Sequence, residues 1–323
     1  MIRNITLDYT KVVLSLFVIM IHCPILLEHE IISNTITNGI CRIAVPCFFV
    51  INGLYIKKVI DSKSNLIKYT KRLFKIYLVW MIIYAPFYLF AFKDSITKSI
   101  IINISTLLLG YWHLWYITGL IGGVYLLSFF RRKKMSVNAL VSFSFLLFFV
   151  GWCMQKIELF FPNEQGIVGS IIRNVPVRNF IFMGFPFITL GYAISNNNFS
   201  NVAKKWLNNK YILVFCFFTL ILESYINYIF VGKTGFDFYL ALFVLCPLLI
   251  QIILNNSKNV KVESDFISKL SSAIYFIHPL IIFLLNDIFR SYSNNKLYVL
   301  VIIFSLLFGT SLINLNKKIN IFL

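Results

Sequence analysis

The sequence predicts an all-α, polytopic membrane helix bundle of about ten transmembrane helices, with both termini in the cytoplasm. Three observations predict it. Of the 323 residues, 59% are hydrophobic and only 13% are charged, whereas soluble domains carry roughly 25% charge. Mean hydropathy is +0.81. The apolar residues fall in long runs, and Lys and Arg gather in alternate gaps between them, as in a chain that threads a bilayer repeatedly. That distribution accounts for the net charge of +18 as topology signal and headgroup contact. No nucleic-acid partner is expected.

Ten runs are long enough to cross, at about 20 residues per crossing. They lie near 9–28, 37–56, 73–92, 113–130, 138–155, 179–195, 211–231, 237–254, 270–287 and 297–315. A shorter stretch, Ser99 to Leu109, reads as an interfacial or re-entrant piece leading into the fourth span. With the N-terminus inside, the cytoplasmic segments hold 20 Lys and Arg and the outer loops 8, the bias expected of such proteins. One domain, 1–323, is expected. The longest outer loop, 156–178, carries Pro162, Gly166, Gly169 and Pro176 and is a candidate lid. The first run contains His22 and lacks a small-residue cleavage site, so it reads as a retained helix. The six cysteines have no metal or redox spacing and read as small hydrophobes. No metal site is expected.

Ionisable residues within spans are costly and need a reason. Lys11 and His22 share one face of the first span, about 16 Å apart along its axis. Lys11 reads equally as a snorkelling lysine or a ligand-binding one. His22 and Glu223 lie at similar depth in spans running the same way, so they meet if those spans are neighbours. The carboxylate would then orient the imidazole and stabilise its charged form, as in a base pair for catalysis or a buried structural pair. Arg42 lies inside the second run, where it would hold Glu223, an oxyanion or a phosphate. Pro46 and Gly53 follow it, the glycine permitting close helix approach. Trp112-His113-Leu114-Trp115-Tyr116 reads equally as an interfacial aromatic belt or a sugar-stacking surface. His278 precedes Pro279, and a structural role at that kink is the favoured reading.

At these residues the chain resembles acyltransferase family 3, the membrane O-acyltransferases of bacterial surface glycans such as O-antigen and enterobacterial common antigen. The motifs come in family order along the whole chain. Leu7-Asp8-Tyr9-Thr10-Lys11 followed by His22 stands where the family has Asp-Gly-Leu-Arg and a histidine eleven residues on. Arg42, Pro46, Phe48, Phe49 and Asn52-Gly53 match its second motif, with Asn for Ser. His113-Leu114-Trp115-Tyr116 matches its His-Leu-Trp-Phe, and Ser271 or Ser272 with Tyr275 and His278 its C-terminal motif. The resemblance implies a catalytic His22 and a donor site at Lys11 for cytoplasmic acyl-CoA, most often acetyl-CoA, with no permanently bound cofactor. It implies a glycan acceptor, or its lipid-linked precursor, at the outer face of the bacterial cytoplasmic (inner) membrane. Arg binds phosphate bidentately and Lys does not, so the Lys11 departure bears on donor recognition. Glu223 and Arg42 are then expected beside His22, Arg42 also serving the donor. Trp112, His113, Trp115, Asn52, Tyr275 and His278 are expected around the substrates. The rival expectations are a transporter or flippase without acyl chemistry and a structural or sensing membrane subunit. The oligomeric state is not legible.

Overall fold

The computed structural model describes residues 2–25, 27–89, 96–160, 177–196, 208–231, 236–257, 259–261, 264–288 and 294–323. The candidate lid at 156–178 falls mostly outside the described residues. The bundle is helical. Its elements are α1 (Ile5–His22), α2 (Glu30–Tyr55), α3 (Lys63–Leu89), α4 (Ile96–Leu109), α5 (Trp115–Arg132), α6 (Val137–Phe160), α7 (Phe185–Ile194), α8 (Lys210–Val231), α9 (Leu242–Asn256), α10 (Phe266–Ile288) and α11 (Asn294–Ile319). Two three-residue strands, β1 (Ile2–Asn4) and β2 (Asn259–Lys261), pair antiparallel.

Among the described residues eight helices are long and apolar enough to cross a membrane. α7 and α9 are shorter apolar helices at the remaining two of the ten expected runs. α4, at 14 residues, corresponds to the short stretch read as non-spanning. Large apolar side chains face outward along the helices, as on α8, where Val214, Phe215, Phe218 and Phe230 are 61–82% exposed. A soluble protein would hide such a surface; a lipid-facing one needs it.

α1 lies parallel to α10. The Ser271 hydroxyl donates to the Lys11 carbonyl at 2.8 Å, and further along the rings of His22 and His278 stack. α2 departs from one continuous α-helix. Its residues Thr35–Gly39 form a π turn and Ile40–Ile43 a 3-10 turn before α geometry resumes at Ala44. Such irregular turns mark functional positions in helices, and Arg42 sits in the second of them. Pro46 thus lies in the first turn of the resumed helix, where its missing N–H costs little. Gly53 lies against Gly191 of α7: a Cβ on Gly53 would strike the Ile188 carbonyl and one on Gly191 the Val50 carbonyl. The close approach read from Gly53 is therefore real, and it fixes α2 against α7.

Candidate active site

His22 ends α1, and two more histidines come to it. His278 lies on α10 with its ring 5.5 Å from that of His22, the planes 29° apart. His113 comes from the 3-10 turn Trp112–Leu114 that precedes α5. Gly110 opens that turn at φ 97°, and Trp112 adopts φ 46°. A Cβ on Gly110 would lie 2.6 Å from the Trp115 nitrogen, so the turn requires glycine there. A left-handed tryptophan is a strained residue. The strain sets the Trp112 ring edge-on to His22 at 4.8 Å. It also sends His113 inward, 5.2 Å from the rings of Tyr84 and Tyr275 and 5.4 Å from His278.

These histidines are not consumed by the structure around them. His278 places Nδ1 3.1 Å from the Ile274 carbonyl. A carbonyl only accepts, so Nδ1 carries the hydrogen. Its Nε2, and both ring nitrogens of His113, are buried without a hydrogen-bond partner among the described residues. Buried polar groups in native proteins are normally bonded, so three orphaned nitrogens in one cluster point to a bound group or a reacting proton. No trio of His, Cys, Asp or Glu arranged to hold a metal occurs among the described residues.

Arg42 lies beside the cluster, but its partner is not Glu223. Its Nη1 pairs with Asp237 Oδ1, and its Nη2 donates to Asn38 Oδ1 at 3.0 Å. The other oxygen of Asp237 receives Arg178 Nε at 3.0 Å. Gln155 accepts from the backbone N–H of Asp237 at 2.8 Å and so fixes that residue just ahead of α9.

Glu223 corrects the expectation of a Glu–His pair. It accepts from Trp152 Nε1 and from the Leu240 N–H, both at 2.8 Å, and lies 4.0 Å from Lys156 Nζ. It makes no described contact with His22. The reason lies in the packing: the first turns of α2 touch both α1 and α8 and stand where the direct pairing would need contact between those helices.

Two cavities meet at Tyr275. The smaller, about 40 Å³, is lined by His22, Arg42, His113, Trp115, Arg178 and Asp237. The larger, about 270 Å³, is lined by Lys11, Asn52, Tyr69, Arg72, Tyr116 and Ser271. Tyr275 lines both, is 6% exposed and donates its hydroxyl hydrogen to the His113 carbonyl. Lys11 Nζ is held by Asp8 at 2.6 Å and Ser268 Oγ at 2.8 Å. Arg72 Nη2 donates to the Leu323 carbonyl at 3.3 Å. Asn52 donates to the Tyr116 hydroxyl at 2.8 Å. The structure thus brings His22, Arg42, His113 and Trp115 around one cavity, with Trp112 and His278 against His22, and Lys11 and Asn52 around the other. It leaves Glu223 apart. Asp237, Arg178 and Arg72 were missed as site residues. The signal for Asp237 was present: an arginine inside an apolar run needs a carboxylate, and Asp237 opens a run at the matching end. Arg178 and Arg72 looked like ordinary loop charge.

Residues 4–314 match the sequence model of an acyltransferase domain, that of acyltransferase family 3. The chain belongs to acyltransferase family 3. Within that family frame the eight long apolar helices among its described residues are those of a multi-pass membrane protein. It is also similar to an amino-acid racemase of Enterococcus faecalis, 23% identical over 98% of this chain and 47% of that protein. A serine/alanine racemase of Enterococcus gallinarum is 28% identical over 39% of this chain and 19% of its own length. The chain thus spans about half the length of the first of these relatives. No solved structure matches it.

Proposed function

We propose that this acyltransferase family 3 chain moves an acyl group, acetyl in the first instance, from cytoplasmic acyl-CoA to a hydroxyl of a surface glycan or its lipid-linked precursor. The observation that carries the reading is the pair of cavities sharing Tyr275. One holds the cations Lys11 and Arg72 for the phosphates of a CoA thioester. The other holds His22 with Arg42 and His113. The charge bias of the loops supports placing the Lys11 end in the cytoplasm and the His22 end outside, in the inner membrane of a bacterium.

In this scheme the acceptor oxygen attacks the thioester carbonyl carbon while His22 takes its proton. Charge builds on the carbonyl oxygen, where the Arg42 guanidinium or an N–H of His113 would stabilise it. The intermediate collapses with cleavage of the carbon–sulfur bond, and the departing sulfur recovers the proton from His22. The products are an ester and free CoA. His278, hydrogen-bonded through Nδ1 and stacked on His22, fixes the ring that does this work.

A second reading is favoured by the relatives' names. A chain resembling half of an amino-acid racemase would handle a small amino acid across the membrane, its carboxylate on Arg42 and Arg178 and its amino group on Asp237. One experiment separates the two. Purified protein in vesicles is given labelled acetyl-CoA with a glycan extract, and separately labelled serine. Release of the CoA thiol that depends on the extract supports acyl transfer. Serine uptake without consumption of acetyl-CoA replaces it with transport.

A further inference from the structure

We infer that the acceptor is anionic: it carries a carboxylate or phosphate, which Arg178 receives at the mouth of the His22 cavity with the Arg42 charge behind it. The inference rests on the acyl-transfer reading for the word acceptor and on three observations for the charge.

The first is the charge count. Two guanidiniums and one carboxylate line the cavity with His22. Asp237 spends one oxygen on each arginine, so it neutralises only one of them. Lys156 and Glu223, behind Gln155, are oppositely charged neighbours and cancel. A buried arginine held only for structure needs one counter-charge, and that need is already met. Arg178 adds a second cation, for which the described residues lining the cavity supply no second carboxylate.

The second is an orphaned donor. Arg42 Nε is buried without a partner among the described residues, although the other two nitrogens of that guanidinium are engaged. A guanidinium offers five N–H donors in a fixed fork that suits carboxylate and phosphate oxygens.

The third is size. A cavity of about 40 Å³ has room for a few water-sized groups. It admits the reacting hydroxyl and not a sugar ring. The rest of the acceptor must therefore lie at the mouth, where the Arg178 side chain is 47% exposed. A surplus positive charge at that point selects the molecule that brings a negative one, and it would also hasten its arrival.

The test is binding, followed by turnover. Purified protein is titrated with methyl glucuronide, glucose 6-phosphate and methyl glucoside, read by the fluorescence of Trp112 and Trp115 and by equilibrium dialysis. At least one anionic sugar should bind tenfold or more tightly than the neutral one. Which of the two binds tells carboxylate from phosphate. Arg178→Gln should remove that preference, and Arg178→Lys should restore part of it. In turnover the same Arg178→Gln change should raise KM for the anionic acceptor about tenfold with kcat changed less than threefold. Equal binding of charged and neutral sugars, or a preference that survives Arg178→Gln, overturns the inference. So does a loss confined to kcat, which would make the surplus charge an oxyanion device. Anion-selective binding without consumption of acyl-CoA leaves the anion site standing and sinks the acyl-transfer reading instead.

Discussion

The two cavities that meet at Tyr275 are built on opposite plans. Around the larger one Lys11 is held by Asp8 and Ser268, Arg72 donates to the Leu323 carbonyl, and no buried side-chain polar atom of the lining lacks a partner among the described residues. Apart from Lys11, Arg72, Asn52, Ser271 and Ser272 its walls are apolar and aromatic, with Phe48, Leu73, Ile76 and Phe276 among them. Around the smaller one, buried nitrogens of His113 and Arg42 are left without partners among the described residues, as is Nε2 of the adjoining His278. A satisfied cation is a resting charge that exchanges one partner for another when a ligand arrives. An unsatisfied buried donor or acceptor costs about 1–3 kcal/mol, and ionisable ring and guanidinium nitrogens left so around one cavity favour a group that binds or reacts there. The difference assigns holding to one cavity and chemistry to the other.

The strongest way to break that contrast is at His22. His22→Ala should lower acyl transfer by a factor of about 10²–10⁴, the usual worth of a positioned general base. The protein should still reach the membrane at parental abundance, because His22 is the last residue of α1 and meets α10 through ring packing against His278, with no hydrogen bond between the two rings. Consumption of acyl-CoA at matched abundance is the measurement. Parental turnover would move the base elsewhere, and His113, with both ring nitrogens unpartnered among the described residues, becomes the residue to test.

The wall itself comes next. Tyr275→Ala should merge the two cavities and let the thioester sit loosely, and a misplacement of about 1 Å costs on the order of a hundredfold in rate. Transfer should fall by about that much, while hydrolysis of acyl-CoA without acceptor takes a larger share of what remains. Tyr275→Phe keeps the wall and loses one hydrogen bond to the His113 carbonyl, worth about 1 kcal/mol, so its loss should be only severalfold. Equal damage from the two variants would show that the hydroxyl, and not the partition, matters.

At the larger cavity the effects should be gentler and confined to the donor. Lys11→Ala should raise KM for acetyl-CoA about threefold to tenfold, as for one partly exposed charged contact. Lys11→Arg should stay near the parent. A KM that does not move would reduce Lys11 to an interface lysine tied to Asp8.

How much of this was legible follows from what sequence encodes locally. The ten runs, the close approach at Gly53 and one cation of each cavity, Lys11 and Arg42, are local properties, carried by apolar run length, residue size and the cost of a charge in lipid. The irregular turns of α2 at Thr35–Gly39 and Ile40–Ile43 were not legible, because nothing in an apolar run distinguishes π or 3-10 hydrogen bonding from α. Lateral neighbours were not legible either. Depth along a span can be counted from the sequence, but which spans touch is decided by packing. Hence His22 and Arg42, counted to the same half of their spans, do line one cavity, while Glu223 was given the wrong partner.

That mistaken pairing supplies the smallest prediction and the sharpest check on the packing. Had Glu223 oriented His22, Glu223→Gln would cripple transfer, and adding it to His22→Ala would change little further. In the structure Glu223 holds Trp152 and the Leu240 N–H, joining α8 to α6 and to the stretch that positions Asp237 ahead of α9. Glutamine keeps the shape and one acceptor oxygen but surrenders the charge that faces Lys156. The cost should be one of stability, about 1–3 kcal/mol for weakened charged hydrogen bonds, seen as a lower melting temperature in detergent. Transfer per folded molecule should stay within about threefold of the parent, and the melting-temperature loss should be the same whether or not His22 is alanine, as for sites with no shared contact. Near-complete loss of transfer by Glu223→Gln at full abundance would mean that α8 closes on α1 during the reaction.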